Sequence, residues 1–378
     1  IDVRAALRGP CGIGRVGVEL ARALAAAAPG REIVLYGASR HGRGWTTPLP
    51  ADLLARPNVR LFAPRLPAKA LQWAARLPGF RTEWLTGRLA AFIHTDLVFV
   101  AGLRCPEIVL VHDLAFEVSR EFHDAGFHEA AAARLRAVVA RAAAIVVPSA
   151  ATRHDLVARW RVDPARITVA PLGADHVTRP LAAADGAVRR DPRPDATRPY
   201  VLHVGTLEPR KNLPRLVRAW RTARARGLEL DLVLVGPWGW QSEELRAELA
   251  RGMPGEPLLV RGAVDEPELR AWQSDATVLC YPSLWEGFGL PIVEAFALGV
   301  PVITANRSST AEVAGDAALL VDPESEASIA AALLRAGTDP ALRRDLAARG
   351  RERAETFRWA TMAAQVLRVA GCVAPGGR

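Results

Sequence analysis

Short apolar runs rich in Val, Ile and Leu alternate along the whole chain with longer stretches of Ala, Leu and Arg that have helical periodicity. Continuous apolar runs are typical of parallel strands buried on both faces, and helices connect such strands. The alternation therefore predicts an α/β fold. Because 378 residues exceed the usual size of one domain, we expect two doubly wound parallel-sheet domains.

The predicted strands fall into two groups. In the first half they span residues 1–5, 32–36, 59–63, 97–101, 108–112, 144–147 and 167–170. In the second half they span residues 200–204, 230–235, 258–261, 277–281, 302–304 and 318–321, with helices predicted over 213–226, 242–249 and 294–298. In such folds a ligand binds at the carboxyl ends of the strands, which places it in a cleft between the two domains.

The domain boundaries follow from composition. Residues 174–199 contain scattered Asp, Arg and Pro with little periodic hydrophobicity, which is typical of an inter-domain linker. We therefore predict a first Rossmann-like domain over residues 1–173 and a second over residues 200–357. A last helical segment over residues 358–378 lies outside the regular alternation of the second domain.

Hydropathy and cysteine spacing exclude several classes of protein. No apolar run approaches the roughly 20 residues of a membrane-spanning helix. The four cysteines are far apart and form no CxxC pair, so neither a zinc site nor a disulfide framework is indicated. These features predict a cytoplasmic protein.

Positive charge is concentrated near the start of the chain. Residues 1–100 carry 14 Arg or Lys against 6 Asp or Glu, and the remainder is almost balanced. This excess favours peripheral association with an anionic membrane at its inner face, or a merely solvated basic surface. A non-catalytic binder of anionic surfaces stays open as an alternative, but nothing resembles a nucleic-acid-binding module, so we expect no nucleic-acid partner.

The strongest local motif is Ser283-Leu-Trp-Glu-Gly-Phe-Gly-Leu-Pro-Ile-Val-Glu-Ala, which follows a predicted strand and precedes a helix. Pro291 suits the first position of that helix, and the exposed amides at a helix start suit a phosphate group. Glu286 and Glu294 are placed to accept hydrogen bonds from hydroxyls of one ligand. The alternative is an acidic residue that complements the helix dipole beside an ordinary glycine turn.

A second motif, Gly205-Thr-Leu-Glu-Pro-Arg-Lys-Asn, also lies between a strand and a helix. Arg210 and Lys211 are adjacent and suit a diphosphate, with arginine as a planar fork and lysine as a point charge. A solvated basic turn is the alternative. Lys211 is the stronger candidate because the chain contains only two lysines.

His112 and Asp113 form a third candidate, at the carboxyl end of the predicted strand 108–112. Such a pair can contact and orient a substrate, although a histidine that only packs in a core or on the surface is equally compatible. No Ser or Cys is placed to complete a hydrolytic triad with it.

A fourth motif, Gly12-Ile-Gly14-Arg-Val-Gly17, matches the dinucleotide-binding pattern. That interpretation requires a carboxylate about 20 residues later to hold the ribose, and the second strand ends without one. Arg40 leaves open an NADP-dependent oxidoreductase, because arginine can bind a 2′-phosphate. We favour a glycine-rich loop that contacts a sugar or a phosphate through Gly12 and Gly14.

Together these motifs make the chain resemble the retaining glycosyltransferase family 4, which has the GT-B fold. The resemblance covers most of the chain, and the segment from Glu286 to Glu294 is its most specific part. The stretches that carry it are residues 1–4, 12–15, 112–113, 147–149, 171–175, 204–212, 234–237, 286–294 and 357–359. It implies two Rossmann-like domains facing a central cleft, with the acceptor bound by the first domain and the final helix returning to it.

The resemblance also implies roles for individual residues. Glu294 resembles the glutamate that holds the donor ribose, and Glu286 the one that contacts the transferred sugar. Lys211 matches the lysine on the diphosphate, and His112 matches the histidine that lines the sugar site. The remaining donor-binding candidates are Gly205, Arg210, Gly287, Phe288, Gly289 and Leu290.

One departure from the family concerns the diphosphate. Many relatives carry an arginine directly after the glycine equivalent to Gly205, where this chain has Thr206. Arg210 is then the residue that supplies the missing charge.

The resemblance further implies a nucleotide-sugar donor, with GDP-mannose favoured over UDP-sugars, and a glycan or lipid-linked acceptor. No Asp-x-Asp motif follows a predicted strand, and we expect neither a metal nor a tightly bound cofactor. Retention of anomeric configuration is likewise an implication of the family.

Overall fold

The structure of the chain is a computed structural model. It describes residues 1–9, 11–38, 47–64, 70, 73–77, 79–96, 100–118, 125–180, 198–253 and 255–374. These residues form two compact units. The first consists of Ile1–Leu114, Gly126–Gly173 and Trp359–Arg378, and the second consists of Ala115–Ala125 and Ala174–Arg358.

The helices and strands alternate along most of the chain. The described helices are α1 (Arg4–Arg8), α2 (Gly12–Ala27), α3 (Ala51–Leu54), α4 (Glu83–Thr86), α5 (Ala115–Val118), α6 (Ala125–Arg141), α7 (Ala150–Trp160), α8 (Leu213–Ala225), α9 (Glu243–Ala250), α10 (Glu266–Ser274), α11 (Leu290–Leu298), α12 (Ser308–Ala314), α13 (Glu326–Thr338), α14 (Pro340–Ala354) and α15 (Trp359–Val373). The described strands are β1 (Ile33–Tyr36), β2 (Val59–Phe62), β3 (Phe92–His94), β4 (Glu107–Leu110), β5 (Ala144–Val147), β6 (Ile167–Val169), β7 (Tyr200–Val204), β8 (Asp231–Val235), β9 (Leu258–Gly262), β10 (Val278–Tyr281), β11 (Val302–Ala305) and β12 (Leu319–Val321).

The first unit contains a parallel pair, β1–β2, and a parallel four-stranded sheet in the order β3-β4-β5-β6. The extended residues at the start of the chain link the two, because Asp2 pairs with Tyr36 and its N–H donates to the carbonyl of Ile93 at 3.0 Å. The predicted strand over residues 1–5 is therefore too long. Helix α1 begins at Arg4, in a stretch of good helix formers.

A second correction concerns β3. The sequence predicted a strand over residues 97–101 and missed β3, which lies a few residues earlier. Residues 97–99 are outside the described part of the chain, and residues 100–101 are not in a strand. The sequence pattern missed β3 because the strand has only three residues and because a buried polar residue, His94, interrupts its apolar run.

The second unit is built on one parallel sheet in the order β12-β11-β10-β7-β8-β9. Its strands match the predicted ones to within one residue or so at each end. Because β7, the first strand of this unit, lies beside β10, the order reverses between them. Loops that follow these two strands separate there and leave a crevice at the carboxyl edge of the sheet.

The last helix, α15, belongs to the first unit and packs on α2. Trp359, Met362 and Val366 are buried there. Of the predicted linker 174–199, residues 181–197 lie outside the described residues, and residues 174–180 belong to the second unit. Within the described chain, no helix is both long and apolar enough to cross a membrane.

Candidate active site

Two of the predicted motifs meet where the strand order of the second unit reverses. Arg210 and Lys211 lie in a short 3-10 turn, Pro209–Lys211, after β7, and Glu286 lies in the loop after β10. Since β7 and β10 are neighbours in the sheet, both loops leave its carboxyl edge side by side. The crevice that doubly wound sheets use for ligands is thus occupied by two cations and a carboxylate.

The three side chains form a buried ionic cluster. Lys211 Nζ lies 2.7 Å from Glu286 Oε1, and Arg210 Nη1 lies 2.6 Å from Glu286 Oε2. Arg210 also binds Glu208 Oε1 at 2.6 Å. Burial alone would raise the pKa of Glu286, but Arg210 and Lys211 outweigh it and lower that pKa to about 2. Glu286 is therefore ionised at neutral pH.

An aromatic pair lies beneath this cluster. Lys211 Nζ donates a hydrogen bond to the Tyr281 hydroxyl and lies 4.7 Å from the centre of its ring. The ring of His203 stacks on Tyr281 with centroids 5.5 Å apart, and His203 Nδ1 donates to the carbonyl of Cys280 at 3.1 Å. Glu286 and Tyr281 take two of the three ammonium hydrogens of Lys211.

The turn after β7 depends on two glycines and on Asn212. Gly205 has a φ of +151°, and a Cβ on Gly236 would lie 1.9 Å from the Gly205 carbonyl oxygen, so the two backbones can approach only without side chains. Asn212 adopts a left-handed conformation at φ 62°, and its side chain donates to the carbonyls of Pro282 and Pro323. These contacts hold Lys211 in place between two strands.

The loop after β10 is held by hydrogen bonds to its backbone. The hydroxyls of Ser308 and Ser309 donate to the Glu286 carbonyl at 2.6 and 2.8 Å. Gly289 precedes α11 with a φ of 96°, a conformation that favours glycine. Helix α11 begins at Leu290, one residue before Pro291, which was expected at its first position.

The other predicted members of this loop are also placed by the fold. Gly287 is buried, and the ring of Phe288 packs edge-on against Phe357 at 5.6 Å. Phe288 therefore anchors the loop through its side chain. Any contact with the donor by residues 287–290 stays a prediction.

Glu294 is held by residues different from those around Glu286. One of its carboxylate oxygens lies 3.0 Å from His176 Nε2, and the other accepts a hydrogen bond from Gln273 Nε2 at 2.6 Å. Glu294 is 3% exposed. A buried carboxylate with both oxygens engaged has a fixed orientation, which is the property that a ligand-holding group requires.

His112 and Asp113 lie in the first unit. Strand β4 ends at Leu110, two residues before His112 and not at it as predicted. His112 Nε2 donates to the carbonyl of Thr95 at 2.8 Å, which fixes its ring. Contact of His112 or Asp113 with the substrate stays a prediction.

The glycines of residues 12–17 lie in a helix and not in a loop, and any contact of Gly12 or Gly14 with a sugar or a phosphate stays a prediction. Helix α2 begins at Gly12, so Gly14 lies in a helical turn and not in a loop. A Cβ on Gly14 would lie 2.7 Å from the Cα of Ala6, so glycine here permits close packing of α1 against α2. Packing of these helices explains Gly14 without a nucleotide. Arg40, on which the NADP interpretation rested, lies outside the described residues.

Sequence reasoning missed several residues around the two glutamates. Tyr281, His203 and Glu208 surround the ionic cluster, and His176 and Gln273 hold Glu294. A usable signal existed for two of them, since a tyrosine ends β10 and a histidine interrupts the apolar run of β7. Among the residues that the structure describes, no group of three or more His, Cys, Asp and Glu side chains is arranged to hold a metal ion.

The buried His203 makes stability depend on pH. Burial, followed by the charge of Lys211, lowers the pKa of His203 from 6.5 to about 3. The unfolded chain therefore binds one more proton than the folded chain between these values. We expect His203 to lower the free energy of unfolding by about 1.4 kcal/mol per pH unit as the pH falls below 6.5.

Urea unfolding of the second unit between pH 7 and pH 4.5 measures this effect. His203→Phe keeps a ring stacked on Tyr281. It should lower the slope of the free energy of unfolding against pH by about 1.4 kcal/mol per pH unit, which is the contribution of one proton. His154 lies in the first unit, so His154→Phe controls for the same substitution and should leave the slope of the second unit as in the wild type. Equal slopes in the wild type and in His203→Phe would contradict the prediction.

Two family profiles match the chain. The family described as glycosyl transferases group 1 matches residues 186–353, which include the ionic cluster and Glu294. The family described as Glycosyltransferase Family 4 matches residues 10–177. Together the two matches account for most of the chain.

Curated relatives carry related names. The chain is 29% identical over 364 residues to O-antigen chain mannosyltransferase B of Escherichia coli, covering 94% of each chain. It is 33% identical over 231 residues to an MMP alpha-(1->4)-mannosyltransferase of Mycolicibacterium hassiacum, covering 60% of this chain and 53% of that protein. The chain is therefore similar to enzymes that transfer mannose.

Solved structures give the same fold. Sucrose-phosphate synthase from Thermosynechococcus elongatus has a TM-score of 0.69 at 23% identity and covers 95% of this chain and 92% of its own. Anabaena HepE in complex with UDP and glucose has a TM-score of 0.69 at 18% identity and covers 96% of each chain. These likenesses show the GT-B fold. With the fold and both family matches in agreement, the chain belongs to the glycosyltransferases of group 1 and family 4 and is an enzyme of that class.

Proposed function

We propose that the enzyme transfers a mannosyl group from GDP-mannose to a glycan or lipid-linked acceptor, with retention of anomeric configuration and without a metal. The observation that carries the proposal is the buried cluster of Arg210, Lys211 and Glu286 at the point where the strand order reverses. A nucleoside diphosphate that leaves a sugar gains negative charge, and fixed cations in a water-poor site stabilise such charge.

Each residue of the cluster then has a distinct task. Lys211 and Arg210 bind the diphosphate, and the carboxylates of Glu286 and Glu208 keep both cations in position before the donor arrives. Glu286 also accepts hydrogen bonds from hydroxyls of the transferred sugar. Glu294 binds the ribose of the donor.

The choice of mannose and of GDP rests on the relatives. The two curated relatives reported above are named mannosyltransferases, and one of them is named for an O-antigen chain. Isothermal calorimetry with GDP, UDP and ADP is the direct test. We expect GDP to bind with the lowest Kd, and GDP-mannose to be the donor that is turned over. Tighter binding of UDP and turnover of a UDP-sugar would overturn the choice of donor but not the enzyme class.

Metal independence and retention form one testable prediction. Since protein cations neutralise the leaving group, activity should survive EDTA. Proton NMR of the product formed early in the reaction should show the anomeric configuration of the donor. Loss of activity on chelation that Mg²⁺ or Mn²⁺ restores would overturn metal independence, and an inverted product would overturn retention.

The basic start of the chain supports a further part of the proposal. The excess of Arg over acidic residues among residues 1–100 suits peripheral association with an anionic membrane, where a lipid-linked acceptor is held. The alternatives of an NADP-dependent oxidoreductase and of a non-catalytic binder receive no support from the family matches.

A further inference from the structure

Four large apolar side chains are exposed within a short segment of the first unit. Trp73 and Trp84 are each 67% exposed, Leu77 is 53% exposed and Leu85 is 41% exposed. Single exposed apolar residues are ordinary, whereas several that lie together indicate an interaction surface. In the described chain this segment holds four of the ten large apolar residues that are exposed.

Backbone and ring contacts bring these side chains together. The N–H of Phe80 donates to the carbonyl of Leu77 at 3.2 Å, and the ring of Phe80 packs edge-on against Trp84 at 6.0 Å. The N–H of Arg76 donates to the carbonyl of Trp73 at 3.0 Å. A Cβ built on Gly102 would lie 3.2 Å from Ala75 Cβ and 3.1 Å from Phe80 Cδ1, so the residues after Trp73 pack close to the ring that contacts Trp84.

The segment is anchored to the rest of the first unit. Thr82 donates from its N–H to the carbonyl of Gly102 at 2.9 Å and from its hydroxyl to the carbonyl of Ala101 at 2.7 Å. Glu83 Oε1 accepts the N–H groups of Arg104 and Cys105 at 2.6 and 2.7 Å. Trp84 and Leu85 are thus presented by an anchored helix.

Arginines surround the apolar residues. Arg76, Arg81 and Arg88 are exposed, and Glu83 is the one acidic residue in the sequence between positions 70 and 95. Burial raises the pKa of Glu83, but the backbone N–H groups of Arg104 and Cys105 outweigh it and lower that pKa, so the carboxylate stays ionised. We call Trp73, Leu77, Trp84 and Leu85 with these three arginines the aromatic–basic patch.

We propose that the aromatic–basic patch docks the enzyme on a bilayer that contains anionic phospholipid. Tryptophan rings favour the headgroup level of a membrane, leucines favour the acyl boundary, and arginines are attracted by anionic lipids. The tryptophans, leucines and arginines of the patch therefore suit the headgroup level, the acyl boundary and the negative charge of such a membrane, respectively. This inference rests on the proposed function in one respect, which is that a lipid-linked acceptor lies at such a surface.

Vesicle co-sedimentation of the full chain tests the proposal. The wild type should bind vesicles of phosphatidylcholine with phosphatidylglycerol, bind pure phosphatidylcholine weakly, and lose binding as salt rises. The double variant Trp73→Ser, Trp84→Ser should lower the partition coefficient at least about tenfold. Trp240, 43% exposed in the second unit, supplies the matched control, and Trp240→Ser should bind as the wild type does.

A second variant tests the charges. The triple variant Arg76→Gln, Arg81→Gln, Arg88→Gln should lose most of the preference for anionic vesicles, at least about tenfold, because each well-placed cation contributes to binding. Equal binding of the wild type to neutral and anionic vesicles would overturn the proposal, as would unchanged binding of the tryptophan variant.

Two further measurements distinguish membrane docking from self-association and from an error in the proposed donor. Sedimentation velocity reports whether the patch joins two copies of the chain. A wild-type dimer that the tryptophan variant converts to a monomer would overturn membrane docking in favour of self-association. Calorimetry with GDP should give the same Kd for the wild type and both patch variants. Failure of GDP to bind the wild type would therefore reject the proposed donor and leave docking to be decided by the vesicles.

Discussion

Replacing Glu286 by Gln should lower kcat by about 100-fold or more while the binding of the nucleoside diphosphate is retained or becomes tighter. In the structure Glu286 neutralises both Lys211 and Arg210. The amide keeps the shape of the side chain but no longer neutralises the two cations, of which Arg210 keeps its pairing with Glu208, so more positive charge faces an incoming diphosphate. The transferred sugar gains positive character in the transition state, where the carboxylate would stabilise it. Because this interaction strengthens in the transition state, its loss lowers kcat.

Steady-state kinetics and calorimetry with GDP measure the two effects. Glu248 is a suitable control, because it is also buried and paired with arginines, Arg218 and Arg221, but lies on α9. Glu248→Gln should lower the stability of the second unit and leave kcat close to that of the wild type. Loss of GDP binding in Glu286→Gln would show that this carboxylate holds the nucleotide and would reject its assignment to the sugar.

Replacing Glu294 by Gln should give the opposite pattern, with Kd for GDP raised about tenfold or more and kcat at saturating donor almost unchanged. The ribose does not react, so its contacts are similar in the ground and transition states. The loss of a charged hydrogen-bond acceptor at a buried site corresponds to about 1.5–3 kcal/mol. One oxygen of the amide can still accept from Gln273, which limits the damage to the fold.

Comparison of nucleotides checks the assignment of Glu294. GMP and GDP share the ribose, so Glu294→Gln should weaken both by the same factor. A loss confined to GDP would place Glu294 at the diphosphate. Thermal unfolding of the variant in the absence of nucleotide separates a binding defect from a general loss of structure, and a Tm near that of the wild type is expected.

The central strands of the second unit, β7, β8, β10 and β11, were predictable because they are buried on both faces and are therefore mostly apolar. The first unit was less predictable. Residues 1–3 are extended only because they complete hydrogen bonds with two other strands, and α1 follows at once. Such pairing depends on residues distant in the sequence, which local periodicity does not report.

The site was predictable as a set of charges but not as a set of contacts. Glu286, Glu294 and Lys211 were identified from motifs next to strand ends. The pairing of Lys211 with Glu286 depends on β7 lying beside β10, and sheet order is a property of the whole unit. The partners of Glu294 come from α10 and from the segment around His176, so no spacing in the sequence reveals them.

The position of α15 has a consequence for how the protein is made. Its buried face, which includes Trp359 and Met362, completes a core otherwise formed by residues from the beginning of the chain. A ribosome synthesises the whole second unit before this helix emerges, although domains of a growing chain generally fold in the order of their synthesis. The first unit therefore begins to form before the second unit and is completed after it, and the apolar face of α2 lacks this cover until α15 leaves the ribosome.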